Sequence, residues 1–262
     1  MRSTAKTAGR NWNRGEGLIG RTFIDLPEEI KLTDAVKKFK SLGGTKFISE
    51  RKNTFVITSV KTGDVRDFFA DSNGVSERNF VPIIISISVD LEEKVPEINE
   101  TRTDINIKKQ KHEVPIHLYF WLFKDKIILS RVSDSRNYLL PILDNIFSKK
   151  IEIPYYDVNR IYSDYRGKKG VHAYGFLGRK DSARSGSLYF PNGIDEYDVV
   201  FQETDKVSKS FVSLAGVLDD VDFTVYGSGA IVIRKDWYSM ADYLGKLMEI
   251  RDFLRKYEVH GN

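Results

Sequence analysis

Residues 222–257 read DFTVYGSGAIVIRKDWYSMADYLGKLMEIRDFLRKY, and this stretch decides the fold class. Asp222–Tyr226 and Ala230–Arg234 are rich in β-branched and aromatic residues. Gly227-Ser228-Gly229 between them suits a hairpin turn. From about Ser239 to Tyr257 the apolar period becomes helical. Met240, Tyr243, Leu244, Leu247, Ile250, Leu254 and Tyr257 fall on one side, and Lys246, Glu249, Asp252, Arg255 and Lys256 largely on the other. A hairpin followed by a one-sided helix buries the helix's apolar face against the sheet.

The same order is legible twice more. Lys46–Ser49 and Thr54–Val60 flank an Arg51-Lys52-Asn53 turn, and Asp64 is placed to cap a short helix with Val65, Phe68 and Phe69 on its apolar face. Ile116–Phe123 and Lys126–Arg131 flank Lys124-Asp125. A helix from Ser133 or Asp134 to Phe147 follows, with Leu139, Ile142, Leu143 and Ile146 as its stripe and Pro141 as a kink or a true start. The expected fold is therefore α+β: antiparallel sheet with helices packed on one face, in ββα units that share pattern rather than sequence. Phe223-Thr-Val-Tyr-Gly-Ser-Gly-Ala-Ile-Val-Ile233, with the long helix after it, resembles the end of a TATA-binding-protein repeat. The likeness covers about 35 residues, and that family's Phe-Pro-Gly wedge segments have no counterpart. It implies a curved sheet backed by helices and carries over no DNA-contact residue.

Four regions are expected along the chain. Residues 1–20 read as a flexible basic arm. Residues 21–91 form an N-terminal lobe: a strand at Thr22–Leu26, a helix opened by Pro27 with Glu28 and Glu29 in its first turn, a stripe of Ile30, Leu32, Val36 and Phe39, a stop at Gly43-Gly44, and a buried strand over Val81–Leu91. Residues 92–113 are charge-rich and read as a linker or long loop. Residues 114–262 form the second lobe, with several short strands and glycine-rich turns over 151–201.

Composition narrows the chemistry. With 41% hydrophobic and 30% charged residues the chain is globular in character. It has no cysteine, so thiolate metal sites, disulfides and cysteine nucleophiles are excluded together. The longest apolar run, Val81–Val89, is broken by Pro82, Ser86 and Ser88, and the first twenty residues lack a signal-peptide core. A cytoplasmic protein without membrane contact is expected.

Charge is concentrated. Arg160–Arg184 holds seven basic residues (Arg160, Arg166, Lys168, Lys169, Arg179, Lys180, Arg184) against Asp164 and Asp181, within a chain of formal charge +4. Such cations neutralise phosphates and release counterions. Tyr162, Tyr165, Tyr174 and Phe176 have the chemistry to stack on bases, with His172 among them. Tyr174-Gly175-Phe176-Leu177 resembles the centre of the RNP1 motif of RNA-recognition domains, but His172, Ala173 and Arg179 depart from its flanks. The strand period also suits Tyr174 and Phe176 to a core face. Arg2, Lys6, Arg10 and Arg14 precede the first acid, Glu16, and read as an ordinary terminus rather than a groove-reaching arm.

The sequence contains no Walker A motif, nucleophile elbow or HExxH, and His112, His117, His172 and His260 lack metal-ligand spacing. Glu92-Glu93-Lys94 with Asp71 upstream matches the outline of a metal-dependent nuclease core. Glu29-Ile30-Lys31 matches the same outline by chance. The preferred expectation is a non-enzymatic nucleic-acid-binding protein, for DNA or RNA, needing no cofactor. The alternatives are a protein-interaction or assembly subunit and a divalent-metal nuclease.

Overall fold

A computed structural model describes residues 20–27, 31–63, 66–67, 79–98, 105–123, 125–166, 170–177, 185–190, 202, 206–218, 221–233 and 240–259. The chain divides into two compact units, one of Ile24–Glu152 and one of residues up to Phe23 together with Ile153–Asn262. Both are antiparallel sheet with helices on one face, as the sequence pattern requires.

In the unit Ile24–Glu152 the strands are β2 (Lys46–Ile48), β3 (Thr54–Thr62), β4 (Arg66–Asp67), β5 (Asn79–Ile98), β6 (Ile105–Phe123) and β7 (Ile127–Arg131). They lie in the order β7-β6-β5-β3-β2, with β4 on β5. Alternation along β5 puts Val81, Ile83, Ile85, Ile87 and Val89 in the core. Their partners Phe120, Leu118 and Phe55 share that face. Helix α1 (Leu32–Lys40) covers it with Phe39, whose ring lies 5.4 Å from Phe120. Beside it, Tyr138 meets Phe55 edge-on at 5.3 Å. Tyr138 belongs to a π-helical segment, Ser135–Leu139, that leads into α2 (Leu140–Phe147). The wider turn, in which the Leu140 N–H reaches the Ser135 carbonyl, immediately precedes Pro141, which has no N–H to give. Lys38 Nζ donates to the Ile146 carbonyl at 3.0 Å and ties α1 to α2.

Several expectations are corrected here. The helix expected from Pro27 is described only over Leu32–Lys40, with Lys31 extended before it, and its expected first turn at residues 28–30 lies outside the described residues. The short helix expected from Asp64 is a strand at Arg66–Asp67, paired with Asn79 and Phe80; residues 64, 65, 68 and 69 lie outside the description. Of the linker expected at 92–113, residues 92–98 and 105–113 are paired β-structure, because β5 continues to Ile98 and β6 begins at Ile105, and residues 99–104 lie outside the described residues. All 19 residues of β6 have a partner on β5. A ladder satisfies its own backbone polar groups, so it needs few apolar side chains once it passes the helices. Lys109 Nζ bonds the Glu92 carboxylate diagonally across the hairpin at 3.2 Å. The division expected at 92–113 accordingly gives way to one at 152/153.

The hairpin's prolines follow from its register. Gly63 N–H donates to the Pro82 carbonyl at 2.9 Å, so the backbone polar groups of Pro82 face away from β6. These groups alternate direction residue by residue. The β5–β6 register is unbroken, so Pro96, and Pro115 opposite Ser88, share the parity of Pro82. None of the three removes a bond between β5 and β6. Pro96 and Pro115 instead remove donors from outer edges that β3 and β7 leave open, since β3 pairs no farther than Val89 and β7 pairs only Phe120–Leu122.

The other unit contains β1 (Arg21–Asp25, through Phe23), β8 (Tyr155–Tyr156), α3 (Val158–Tyr165), β9 (Val171–Leu177), β10 (Ser185–Tyr189), β11 (Lys209–Leu218), β12 (Val221–Tyr226), β13 (Ile231–Ile233), α4 (Met240–Leu254), a 3-10 turn at Arg255–Tyr257, and β14 (Glu258–Val259). Its sheet runs β10-β9-β11-β12-β13-β1. Tyr174, Val212, Leu214, Phe223 and Val225 share one buried face. Tyr162 of α3 lies on Tyr174 at 5.0 Å, and Phe253 of α4 on Phe223 at 6.0 Å. Gly229 ends the Gly-Ser-Gly turn at φ +86°, and a Cβ there would fall 2.2 Å from the Pro154 carbonyl oxygen, so only glycine fits. The short strands expected over 151–201 are joined by a helix, α3, that the reading omitted. Within the described residues no helix is long and apolar enough to cross a membrane.

Pro115→Val should change folding stability by less than about 1 kcal/mol, because the residue is exposed. It should also restore an edge donor, so static light scattering should show concentration-dependent association that the wild type lacks. Identical scattering from both proteins would show that the edge is closed by something else.

Candidate nucleic-acid interface

The basic segment begins on a helix for local reasons. Asp157 caps α3, its carboxylate accepting from the Arg160 N–H at 3.0 Å. Val158, Ile161 and Tyr162 are buried and Tyr165 is half-buried, at the spacing of a one-sided helix. Asn159, Arg160, Ser163 and Asp164 are exposed. This cap and stripe were both present in the sequence and would have located the helix.

The expected site residues separate into three groups. Arg160, Tyr165 and Arg166 lie on α3 or at its C-cap. Tyr174 and Phe176 are in the core, 0% and 5% exposed, which corrects the expectation that they stack on bases. They share the strand face that α3 covers, so burial wins. His172, on the same strand, is half-buried with its ring edge-on to Tyr189 at 5.7 Å. Lys168, Lys169, Arg179, Lys180 and Arg184 lie outside the described residues.

What the fold adds to α3 is the end of the chain. Tyr257 is 1% exposed. Its carbonyl accepts from the Asp157 N–H at 2.9 Å, and its hydroxyl donates to Asp164 Oδ2 at 2.7 Å. The Arg160 guanidinium lies over the Tyr257 ring at 5.6 Å and donates to the Lys256 carbonyl at 3.3 Å. The exposed Lys256 ammonium stands 4.8 Å from the Tyr257 ring, 5.3 Å from Phe253 and 6.0 Å from Tyr165. Tyr165 itself packs on Phe253 at 5.6 Å. Among the described residues no carboxylate pairs with Arg160 or Lys256. Both cations are held instead by π faces, which orient a charge without neutralising it. Arg255, also exposed, adjoins Lys256 in sequence.

Burial, and then the hydrogen bond to the Asp164 carboxylate, push the Tyr257 phenol well above its ordinary range. Sequence reasoning missed Lys256 and Tyr257 as partners of Arg160. The helix pattern placed them on opposite sides of α4's continuation, and no local signal joins residues 96 apart.

The nuclease outline falls largely outside the described residues. Glu92 is engaged by Lys109 on the hairpin, while Asp71 and the Lys94 side chain lie outside what is described. Among the described residues no three His, Asp or Glu side chains group to hold a metal. No protein-family model matches this sequence, and no curated protein matches it.

Tyr257→Phe should cost about 1–2 kcal/mol near neutral pH by deleting the bond to Asp164. The fold favours the neutral phenol, and an unfolded tyrosine titrates near pH 10. This contribution is therefore complete below about pH 10 and lost as pH rises beyond it. In urea unfolding, the gap between wild type and variant should be constant up to about pH 9 and smaller at about pH 11. A gap of constant size would argue against the Tyr257–Asp164 bond.

Proposed function

We propose that this is a non-enzymatic nucleic-acid-binding protein whose contacts centre on Arg160 and Lys256, with Arg166 and Arg255 beside them in sequence. The observation that carries this reading is that two exposed cations, drawn from distant parts of the chain, are held by aromatic rings and, among the described residues, by no acid. A guanidinium and an ammonium fixed in that way are ready to take phosphate oxygens, and such contacts carry no base information. The remaining basic residues of 166–184 supply further charge to the same segment of chain. The absence of cysteine accords with a cytoplasmic setting.

A second reading, an assembly subunit, is favoured by the hairpin. Over Asp90–Ile98 and Ile105–Glu113 it carries five acids and four lysines, a balance that suits a protein partner better than a polyanion.

The test is binding to labelled nucleic acid across a salt series. Arg160→Gln and Lys256→Gln should each lower the log–log salt slope by roughly 0.7–0.9 units and weaken binding to all sequences alike. If the double variant folds as the wild type does and keeps its affinity and slope, the cluster is ordinary surface and the assembly reading takes its place.

A further inference from the structure

Resting on the reading above, we infer that this interface selects double-stranded over single-stranded nucleic acid. Single strands are held without sequence preference mainly by aromatic side chains on which successive bases stack. The rings that the sequence offered for this purpose are otherwise engaged. Tyr162, Tyr174 and Phe176 are 4%, 0% and 5% exposed. Tyr257 is buried beneath Arg160 and Lys256, and Tyr165 is packed on Phe253 with the Lys256 ammonium near its ring. The aromatic groups of the cluster thus serve as a bed for cations rather than as a platform for bases.

The exposed side chains around that bed are charged, Arg160, Arg255 and Lys256 with Asp164, while Tyr165 and Phe253 are half-buried. Cations that contact phosphates alone bind best where phosphates are densest, and a duplex carries one negative charge per roughly 1.7 Å of its axis. Arg160 and Lys256 come from two separate helical segments joined by the Arg160–Lys256 carbonyl bond. Their spacing is therefore set by the fold, which suits a stiff lattice of phosphates and confers no advantage on a flexible strand.

Tyr155, three residues before α3, is 43% exposed and paired with Val259 on the ribbon β8–β14. It is a ring that would stack if the inference were wrong.

The experiment compares the full chain's affinity for a duplex and for each of its strands, in DNA and in RNA, at two salt concentrations. The strands carry 2-aminopurine to report base stacking. The duplex should bind roughly tenfold or more tightly than either strand, and 2-aminopurine fluorescence in the strands should stay unchanged. Arg160→Gln/Lys256→Gln should bring duplex affinity down to that of the strands. Single strands bound as tightly as duplex, or quenched 2-aminopurine with strand affinity that falls in Tyr155→Ala, would overturn the inference and leave nucleic-acid binding standing. Failure of every nucleic acid to bind would instead overturn the binding reading itself.

Discussion

Tyr257 closes the end of the chain against both ends of α3. Its carbonyl takes the Asp157 N–H at the helix start, and its hydroxyl reaches Asp164 one residue from the helix end. Its ring lies beneath the cations of Arg160 and Lys256. A phenol can do this because its body is apolar and its tip is a donor, so it is buried without leaving a polar atom unsatisfied. The surface described above depends on that side chain: without it Asp164 would lose its donor and the two cations their shared support, and only the bonds to the Tyr257 and Lys256 carbonyls would tie α3 to the 3-10 turn.

Each unit solves the same physical problem. An antiparallel sheet with one apolar face needs a cover, and helices with aromatic knobs provide it: Phe39 on Phe120 in one unit, Tyr162 on Tyr174 and Phe253 on Phe223 in the other. The β5–β6 hairpin departs from this arrangement by running past its cover. There the alternation of buried residues fades after Val89 and charged side chains take over, while the backbone ladder continues. Prolines at positions that cost the ladder nothing keep its outer edges from acting as templates for other strands.

Aromatic residues in a basic, glycine-containing segment have two physical uses, stacking on bases or filling a core, and the residue types cannot distinguish them. Tyr174 and Phe176 are claimed by the core because a helix lies across their strand face. Lys209 shows how thoroughly that space is used. Its ammonium is buried between the rings of Tyr162 and Tyr174, at 4.6 and 4.9 Å, and donates to the Val207 carbonyl. Positive charge thus meets aromatic rings inside the protein as well as at its surface.

The α+β class, the one-sided helix near the C-terminus and the hairpin before it were legible in the sequence, because side-chain period is a local property that burial reads directly. Asp157 with Val158, Ile161, Tyr162 and Tyr165 was equally legible and marked α3. The hairpin at 92–113 was obscured because hydropathy reports burial, and a self-satisfied ladder beyond the core needs none. The pairing of Arg160 with Lys256 and Tyr257 was beyond the sequence altogether. It arises from packing the last turn of the chain against a helix some ninety residues earlier, and only the tertiary structure decides which distant charges share a ring.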